Sequence, residues 1–295
     1  MTQMKIVLSR KGLDSEYGGI PSPIIQDKNG IWKFIPVPIP STHTNDTRYI
    51  DLNWSEEFST PNFFVEMELK SKKSEYCHLD PDINRNYLKT RNEKWRPNFG
   101  QVKSAQSHLS NKGIGTNDVF LFFGWFKKYE YKDGKYIKLE DGYPNGFHAI
   151  YGYLQVNKVV SVNSVDFPEW LKYHPHYINK EDAEFNNENN SIYIANENFI
   201  HSDIKGKKGA NTFIFNEELV LTEPKESRRS FWKLPHIFNP KNEIELSYNL
   251  NHSKWGKDGN NVTLKSTCKG QEFVFSGKTE PVTKWCIDLI NKYSE

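Results

Sequence analysis

The most strongly hydrophobic part of the chain lies in its middle, where two apolar stretches flank a polar insert. Residues 119–126 form an almost unbroken apolar and aromatic run, which is too short for an ordinary helix and rich in strand-forming residues. Residues 147–160 have the same character, with Gly152 at a position where a strand bends or another backbone approaches closely. The insert, KKYEYKDGKYIKLEDGYPNG, contains two Asp-Gly steps, which favour hairpin turns. The pattern predicts two core strands separated by an exposed hairpin.

Weaker patterns predict further elements on both sides of this pair. The apolar residues 4–8 predict a short strand, and residues 102–109 carry apolar side chains at helical spacing. Near the C-terminus, residues 282–290 predict an amphipathic helix that begins close to Pro281. The remaining predictions are an extended segment with prolines at 36, 38 and 40, an undecided strand or helix at 62–69, a mobile polar bridge at 179–191, short strands at 192–195 and 212–215, and a hairpin over 262–277 with Lys269-Gly270 at its turn.

Composition excludes several classes of protein. The chain has 39 basic and 37 acidic residues, so its net charge of +2 gives no global attraction to nucleic acid, although a local basic face is compatible with it. Its three cysteines, at positions 77, 268 and 286, form neither a disulfide framework nor a zinc signature. The first ten residues are too short and polar for a signal peptide, and no apolar run reaches the roughly 20 residues that span a bilayer. We therefore expect a cytoplasmic protein without a membrane partner.

Polar residues follow the first predicted strand directly. Ser9, Arg10, Lys11 and Gly12 stand at its end, where ligand-binding residues often lie in proteins that contain helices and sheets. The segment that follows adds hydroxyls and glycines, so together they offer cations and backbone amides suited to a phosphate or a carboxylate. Neither a P-loop nor a GxGxxG motif is present. The alternative interpretation is a solvated connection between two strands.

The second chemically rich segment is CHLDPDINRNYL, residues 77–88. In an extended chain, His78, Asp80 and Asp82 project to one face, because side chains alternate along a strand. One imidazole and two carboxylates on one face suit acid–base chemistry or a divalent ion. Alternatively, Asp80 or Asp82 is the N-cap of a helix over residues 83–89.

Two further pairs of polar residues have open interpretations. Gln101 and Gln106 lie off the apolar stripe of the predicted helix, where they either hydrogen-bond the edge of a base or remain on the exposed helix surface. His174 and His176 form a His-x-His pair, which on its own is a weak zinc signal, since no nearby Cys or Glu completes a ligand set. We interpret that pair as part of a loop, with the lining of a pocket as the functional alternative.

In chain order, the segments MKIVLSRKGLDS…GGIPSPI, HLDPDI, GQVKSAQSHL…GIGTNDVFLFFGWF and HAIYGYLQV resemble the nucleotide modification associated domain 3 family. WKLPHIF and GQEFV extend the resemblance over nearly the whole chain. It implies a role in phage or bacterial DNA-base modification systems and assigns no reaction. By the motif positions, it implies catalytic candidates His78, Asp80 and Asp82, and substrate-binding candidates Ser9, Arg10, Lys11, Gly12, Asp14, Ser15, Gly19, Ser22, Gln101, Gln106, Gly124, Trp125 and His148.

The central strands also look like the paired core strands of PUA-like domains, which bind modified bases. Together these features predict an α+β fold, either a mixed β-sheet or a partly closed PUA-like barrel core, with a few packed helices. Residues 1–295 are expected to form one domain, with a sub-boundary near 179–191 as the alternative.

Two functions follow from these expectations. The first is a nucleotide- or nucleobase-directed enzyme, a transferase or a hydrolase, in which Arg10 and Lys11 hold phosphate and the base lies near Trp125 and His148. The alternative is a non-catalytic PUA-like reader of modified nucleic acid, with basic turns at residues 205–208 and 228. The expected partner is a nucleotide or modified base, with DNA as a further candidate. The sequence specifies no cofactor and leaves a metal requirement undetermined.

Overall fold

The computed structural model of the chain describes residues 3–53, 63–64, 75–133, 135–267 and 271–295. Its helices with described bounds are α1 (Lys103–Asn111), α2 (Pro175–Ile178) and α3 (Glu280–Tyr293). Its strands are β1 (Ile6–Arg10), β2 (Ser22–Gln26), β3 (Trp32–Phe34), β4 (Ile39–Ser41), β5 (Thr47–Arg48), β6 (Tyr76–His78), β7 (Asn98–Gln101), β8 (Val119–Lys132), β9 (Lys135–Lys138), β10 (Phe147–Ser161), β11 (Ser191–Ala195), β12 (Ala210–Thr212), β13 (Phe231–Pro235), β14 (Ile244–Leu246), β15 (Trp255–Asp258), β16 (Asn261–Lys265) and β17 (Glu272–Gly277).

Within the described residues, a mixed sheet of 11 strands organises the fold, and its main path runs β14-β17-β1-β8-β10-β11-β7. β8 is parallel to β1 and β2 but antiparallel to β10, and β2, β3, β9 and β12 pair off the main path. Two smaller sheets have the orders β13-β16-β15 and β4-β6-β5. The α+β prediction is confirmed. Of its two alternatives the mixed sheet is present, because the strands do not close into a barrel.

The two predicted core strands are β8 and β10, and they pair over most of their length. Their register shifts between Ile150 and Gly152, so the glycine marks the predicted irregularity. A Cβ at position 152 would lie 2.9 Å from the backbone oxygen of Asn211, which leaves no room for a side chain there. The polar insert folds back as β9, which pairs with the end of β8, as a hairpin requires.

Other predictions are confirmed in part. The helix α1, the C-terminal helix α3 and the strand β11 form where predicted, whereas the first strand lies two residues later than predicted, at Ile6–Arg10, so that Ser9 and Arg10 belong to it. The hairpin predicted over 262–277 is wrong, because β16 pairs with β13 and β15 whereas β17 joins the central sheet; its turn residues Lys269 and Gly270 lie outside the described residues. Most of 62–69 also lies outside them. The bridge 179–191 follows a packed path, with Asn179, Phe185 and Asn190 buried.

Side chains alternate between the two faces of the central sheet, and this separates the candidate residues. Ser9 lies opposite Phe122 and Arg10 opposite Phe123 in the pairing of β1 with β8. Phe122 packs on Phe99 at a ring distance of 5.3 Å, and we call this the front face. The Arg10 guanidinium lies 5.8 Å from the ring of Phe123, on the back face. No helix in the described part of the chain is long and apolar enough to cross a bilayer.

The front-face aromatic core sets the stability of the sheet. Phe122 is fully buried among Phe99, Phe120 and Tyr151. Replacing it with alanine removes those contacts and leaves a cavity, so we expect Phe122→Ala to lower the free energy of unfolding by about 3–5 kcal/mol in urea titrations. Ile137→Ala, at a side chain that is 46% exposed, should change it by less than about 0.5 kcal/mol. Equal effects of the two substitutions would contradict this assignment of the core.

Candidate functional site

A carboxylate and three imidazoles meet at the outer edge of β7, and we call His78, Asp80, His174 and His176 the Asp80 cluster. Asp80 Oδ1 accepts a hydrogen bond from the Gly100 backbone N–H at 2.8 Å and lies 3.5 Å from His174 Nε2. Asp80 Oδ2 lies 3.7 Å from His78 Nε2 and 3.8 Å from His176 Nε2. The structure therefore brings the segment with His78 and Asp80 together with the His174-x-His176 pair.

Burial and charge determine the protonation of this cluster. Burial alone raises the pKa of Asp80, but its contacts with His174 and His78 and the positive charge of Lys11 outweigh that effect and hold the pKa well below its usual range. Burial also pushes the pKa of His176 well below its usual range. At neutral pH the cluster therefore contains a carboxylate anion and a neutral His176 ring. His78, at 15% side-chain exposure, is its most accessible member.

Local structure positions each ring. His78 is the last residue of β6, and His174 is the N-cap of α2, where its Nδ1 accepts the His176 backbone N–H at 3.2 Å. His176 Nδ1 lies 2.7 Å from Asn190 Oδ1. Gly100 permits the rings to approach β7, since a Cβ there would lie 2.6 Å from His176 Cδ2.

A second buried polar group adjoins the cluster on the front face, and we call Ser9, Lys11, Gln101 and Glu272 the Glu272 group. Glu272 Oε1 accepts hydrogen bonds from Ser9 Oγ at 3.0 Å and Gln101 Nε2 at 2.7 Å, and it lies 3.3 Å from Lys11 Nζ. The Lys11 ammonium also lies 4.3 Å from the centre of the Phe99 ring. Sequence reasoning did not select Glu272, although the GQEFV segment that contains it contributed to the family resemblance.

Two strand-end residues stand next to these groups. Gly12 has a φ of +82°, and a Cβ there would lie 3.3 Å from Val37 O and 3.9 Å from Ser22 Oγ. Ser22 Oγ accepts a hydrogen bond from the Val37 backbone at 3.2 Å. Gly12 and Asp80 line a cavity of about 10 Å³, which is the scale of one water molecule.

The other substrate-binding candidates lie elsewhere, and four of them, Arg10, Ser15, Trp125 and His148, lie on or beside the back face. The Arg229 guanidinium lies 3.7 Å from the centre of the Trp125 ring and donates to Ser15 Oγ at 2.5 Å. His148 lies opposite Trp125 in the pairing of β8 with β10, and its Nδ1 accepts a hydrogen bond from Trp232 Nε1. We call Arg10, Trp125, His148 and Arg229 the back-face group.

Burial is the main cause of the lowered pKa of His148 in the back-face group, and the positive charges of Arg10 and Arg229 lower that pKa further.

Asp14 accepts backbone hydrogen bonds from Glu16 and Tyr17 in a turn, and Gly19 continues that turn with a φ of +73°. Gly124 packs against the Lys11 backbone, since a Cβ there would lie 2.7 Å from Lys11 O.

Gln106 differs from the prediction of an exposed helix surface. Its side chain is buried, and its Oε1 accepts a hydrogen bond from the Tyr193 hydroxyl at 3.0 Å. Gln101 is also buried, so the exposed interpretation is wrong for both glutamines.

Asp82 has a different environment from Asp80. It forms a bidentate ion pair with Arg91 at 2.5 and 2.6 Å and accepts hydrogen bonds from Trp95 and Tyr173. Neither Asp82 nor Asp80 is the N-cap of the next turn, which is a 3₁₀ turn at Arg85–Tyr87 capped by the Asn84 side chain. The structure therefore places His78 and Asp80 together and Asp82 apart from them.

Residues 5–276 match the family described as "Nucleotide modification associated domain 3". The chain belongs to this family. The search of curated proteins and the search of solved structures returned no match. Membership of the nucleotide modification associated domain 3 family connects the chain with nucleotide or DNA modification, and the geometry above provides the residues that such a role can use.

In this family member, the described residues contain two groups whose side chains can hold a metal ion. The first is His78, Asp80 and His176, with candidate ligand atoms within 4.8 Å of one another. The second is His43 with Asp182 and Glu184, whose carboxylate side chains are 45% and 62% exposed. The side chains of the first group are only 4–15% exposed, so its ligands have less conformational freedom to lose on binding an ion.

The ion pair between Asp82 and Arg91 leads us to expect that substitution of Asp82 lowers the stability of the fold. Arg91 is 5% exposed and Asp82 is fully buried, so Asp82→Ala leaves a buried guanidinium without its counter-charge. We expect a loss of about 3–5 kcal/mol in the free energy of unfolding, measured by urea denaturation at pH 7. Asp51→Ala removes a carboxylate from an exposed ion pair with Arg48 and should cost less than about 1 kcal/mol. Similar losses for both variants would exclude this role for Asp82.

Proposed function

We propose that this family member is an enzyme that acts on a nucleotide or nucleobase in DNA-base modification, with its reaction centre at the Asp80 cluster. The observation that carries the proposal is the convergence of His78, Asp80, His174 and His176 from two distant parts of the chain. Buried ionisable groups are costly, so their concentration at one place favours a chemical role over a packing role. A pure binding module has no need of such a centre.

The Glu272 group supports a substrate position beside the cluster. Lys11 brings a positive charge to the front face, and its side chain is 10% exposed. Ser9 and Gln101 are held in fixed orientations by Glu272, as groups that bind a substrate require. We propose that the phosphate or base edge of the substrate binds here, with Asp80 and His78 facing the reacting atoms. The reaction belongs to the transferase or hydrolase class.

The back-face group favours a second candidate function, a non-catalytic reader of modified nucleic acid. Trp125 is partly exposed, and an aromatic ring beside arginine suits stacking with phosphate contact. However, Arg229 already covers one face of that ring, so a base has to displace it or use the other face. This competition makes the enzyme the better-supported function.

Asp80→Asn tests the proposed enzyme. Ligands that co-purify with the native protein are first identified by native mass spectrometry, and turnover of deoxynucleotides and of DNA with hydroxymethylated pyrimidines is then followed by liquid chromatography with mass detection. Loss of the carboxylate charge should lower turnover by at least about 100-fold. Asp288→Asn makes the same chemical change on the exposed side of α3 and should leave turnover unchanged. Retained turnover in Asp80→Asn, with native circular dichroism, would reject the Asp80 cluster as the reaction centre.

The reader function has its own test. It predicts binding to modified duplex DNA in gel-shift assays, with an affinity that falls steeply as salt rises, because Arg229 and neighbouring cations contact phosphates. Arg229→Ala should then weaken binding, whereas Asp80→Asn should not. Absence of any shift at low salt, with modified and unmodified duplexes alike, removes this function from consideration.

A further inference from the structure

We infer that His78, Asp80 and His176 bind one divalent transition-metal ion. The Nε2 atoms of His78 and His176 both face Asp80 Oδ2, at 3.7 and 3.8 Å. Two ligands of a tetrahedral ion with bonds of about 2.0–2.1 Å lie about 3.3 Å apart. Asp80 Oδ2 therefore lies only about 0.5 Å beyond ligand spacing from each nitrogen, and all three ligand atoms lie within 4.8 Å of one another, so small side-chain rotations bring them to an ion.

Hydrogen bonds fix the proton of His176 on the nitrogen that does not face the site. Asn190 Nδ2 donates to the carbonyl oxygens of His176 and Phe185, so Asn190 Oδ1 must be the acceptor for His176 Nδ1. His176 therefore carries a proton on Nδ1, and Nε2 is the nitrogen that faces Asp80 Oδ2 at 3.8 Å and is available to an ion. A hydrogen bond from Nδ1 is also the usual support of a metal-binding histidine.

His174 has the opposite arrangement and acts as a positioning residue. Its Nδ1 accepts the backbone N–H of His176, so Nε2 is the nitrogen that can carry a proton toward Asp80. Nε2 is fully buried, forms no hydrogen bond in the described part of the chain, and points toward Asp80 Oδ1 at 3.5 Å. Gly100 N–H already donates to that oxygen. The Gly100 N–H holds Oδ1 by a hydrogen bond and His174 Nε2 faces the same oxygen, which leaves Oδ2 as the metal-binding oxygen.

The ligand chemistry selects the class of ion. Two imidazoles and one carboxylate suit zinc or ferrous iron, whereas magnesium and calcium prefer oxygen ligands. Three protein ligands leave at least one coordination position for water or a substrate atom, as in catalytic centres. This site is independent of the proposed function, because an ion can bind here whether or not the protein turns over a nucleotide.

Metal titration of the full-length protein tests the site. Protein treated with a chelator and dialysed into metal-free buffer is titrated with Zn²⁺, Co²⁺ and Mg²⁺ by calorimetry, and the bound metal is counted by elemental mass spectrometry. We expect one Zn²⁺ or Co²⁺ per chain and much weaker Mg²⁺ binding. His78→Gln, Asp80→Asn and His176→Gln should each weaken Zn²⁺ binding by at least about 100-fold, and Asn190→Ala by about 10–100-fold.

Two controls make the outcome decisive. His252→Gln alters an exposed histidine and should bind Zn²⁺ as the native protein does. His43→Gln tests the exposed group with Asp182 and Glu184, and it should also have no effect. The assignment is overturned if the native protein binds no Zn²⁺ or Co²⁺, if the three ligand variants bind as it does, or if His43→Gln abolishes binding. Circular dichroism establishes that each variant is folded, and His78→Gln, at the most exposed ligand, keeps the test valid if the buried variants unfold.

Discussion

The parallel pairing of β1 with β8 is the interaction on which the arrangement of the candidate residues depends. It fixes the face on which each residue of the SRK segment lies, because Ser9 is opposite Phe122 and Arg10 is opposite Phe123. β17 pairs with the other edge of β1 and brings Glu272 opposite Ser9. The Glu272 group is therefore a direct consequence of strand order and register. A shift of one residue in β1 would exchange the faces of Arg10 and Lys11.

Two carboxylates that are close in sequence illustrate how environment assigns roles. Asp82 is fully paired with Arg91 and fixed by Trp95 and Tyr173. The Asp80 carboxylate accepts one hydrogen bond among the described residues, from the Gly100 N–H, and two imidazoles face its other oxygen. Backbone hydrogen bonds between Asp82 and Asn98 attach the segment to β7. The ion pair of Asp82 thus stabilises the position from which Asp80 meets the histidines.

The sequence predicts the sheet and its central strands well, because apolar runs and Asp-Gly turns are local signals. It also identifies His78 and Asp80, but it wrongly groups them with Asp82 on one face. That error has a physical reason, since β6 ends at His78 and the alternation of a strand does not extend beyond it. The contribution of His174 and His176 is not predictable locally, because their partners lie in a distant segment. Asn190 falls in a polar stretch whose composition favours a mobile loop, whereas its side chain is buried against His176.

The separation of the two faces constrains how any substrate can bind. The sequence suggested that a base stacks near Trp125 and His148 while His78 and Asp80 perform the chemistry. In the structure, Trp125 belongs to the back face, whereas Lys11, which influences the pKa of Asp80, belongs to the front face. The aromatic rings of Phe99, Phe120 and Phe122 pack on the front face beside Lys11, on the opposite side of the sheet from Trp125. The proposed reaction at Asp80 therefore requires recognition of the nucleotide by groups on the Lys11 side, and a ligand of Trp125 would be a separate binding event.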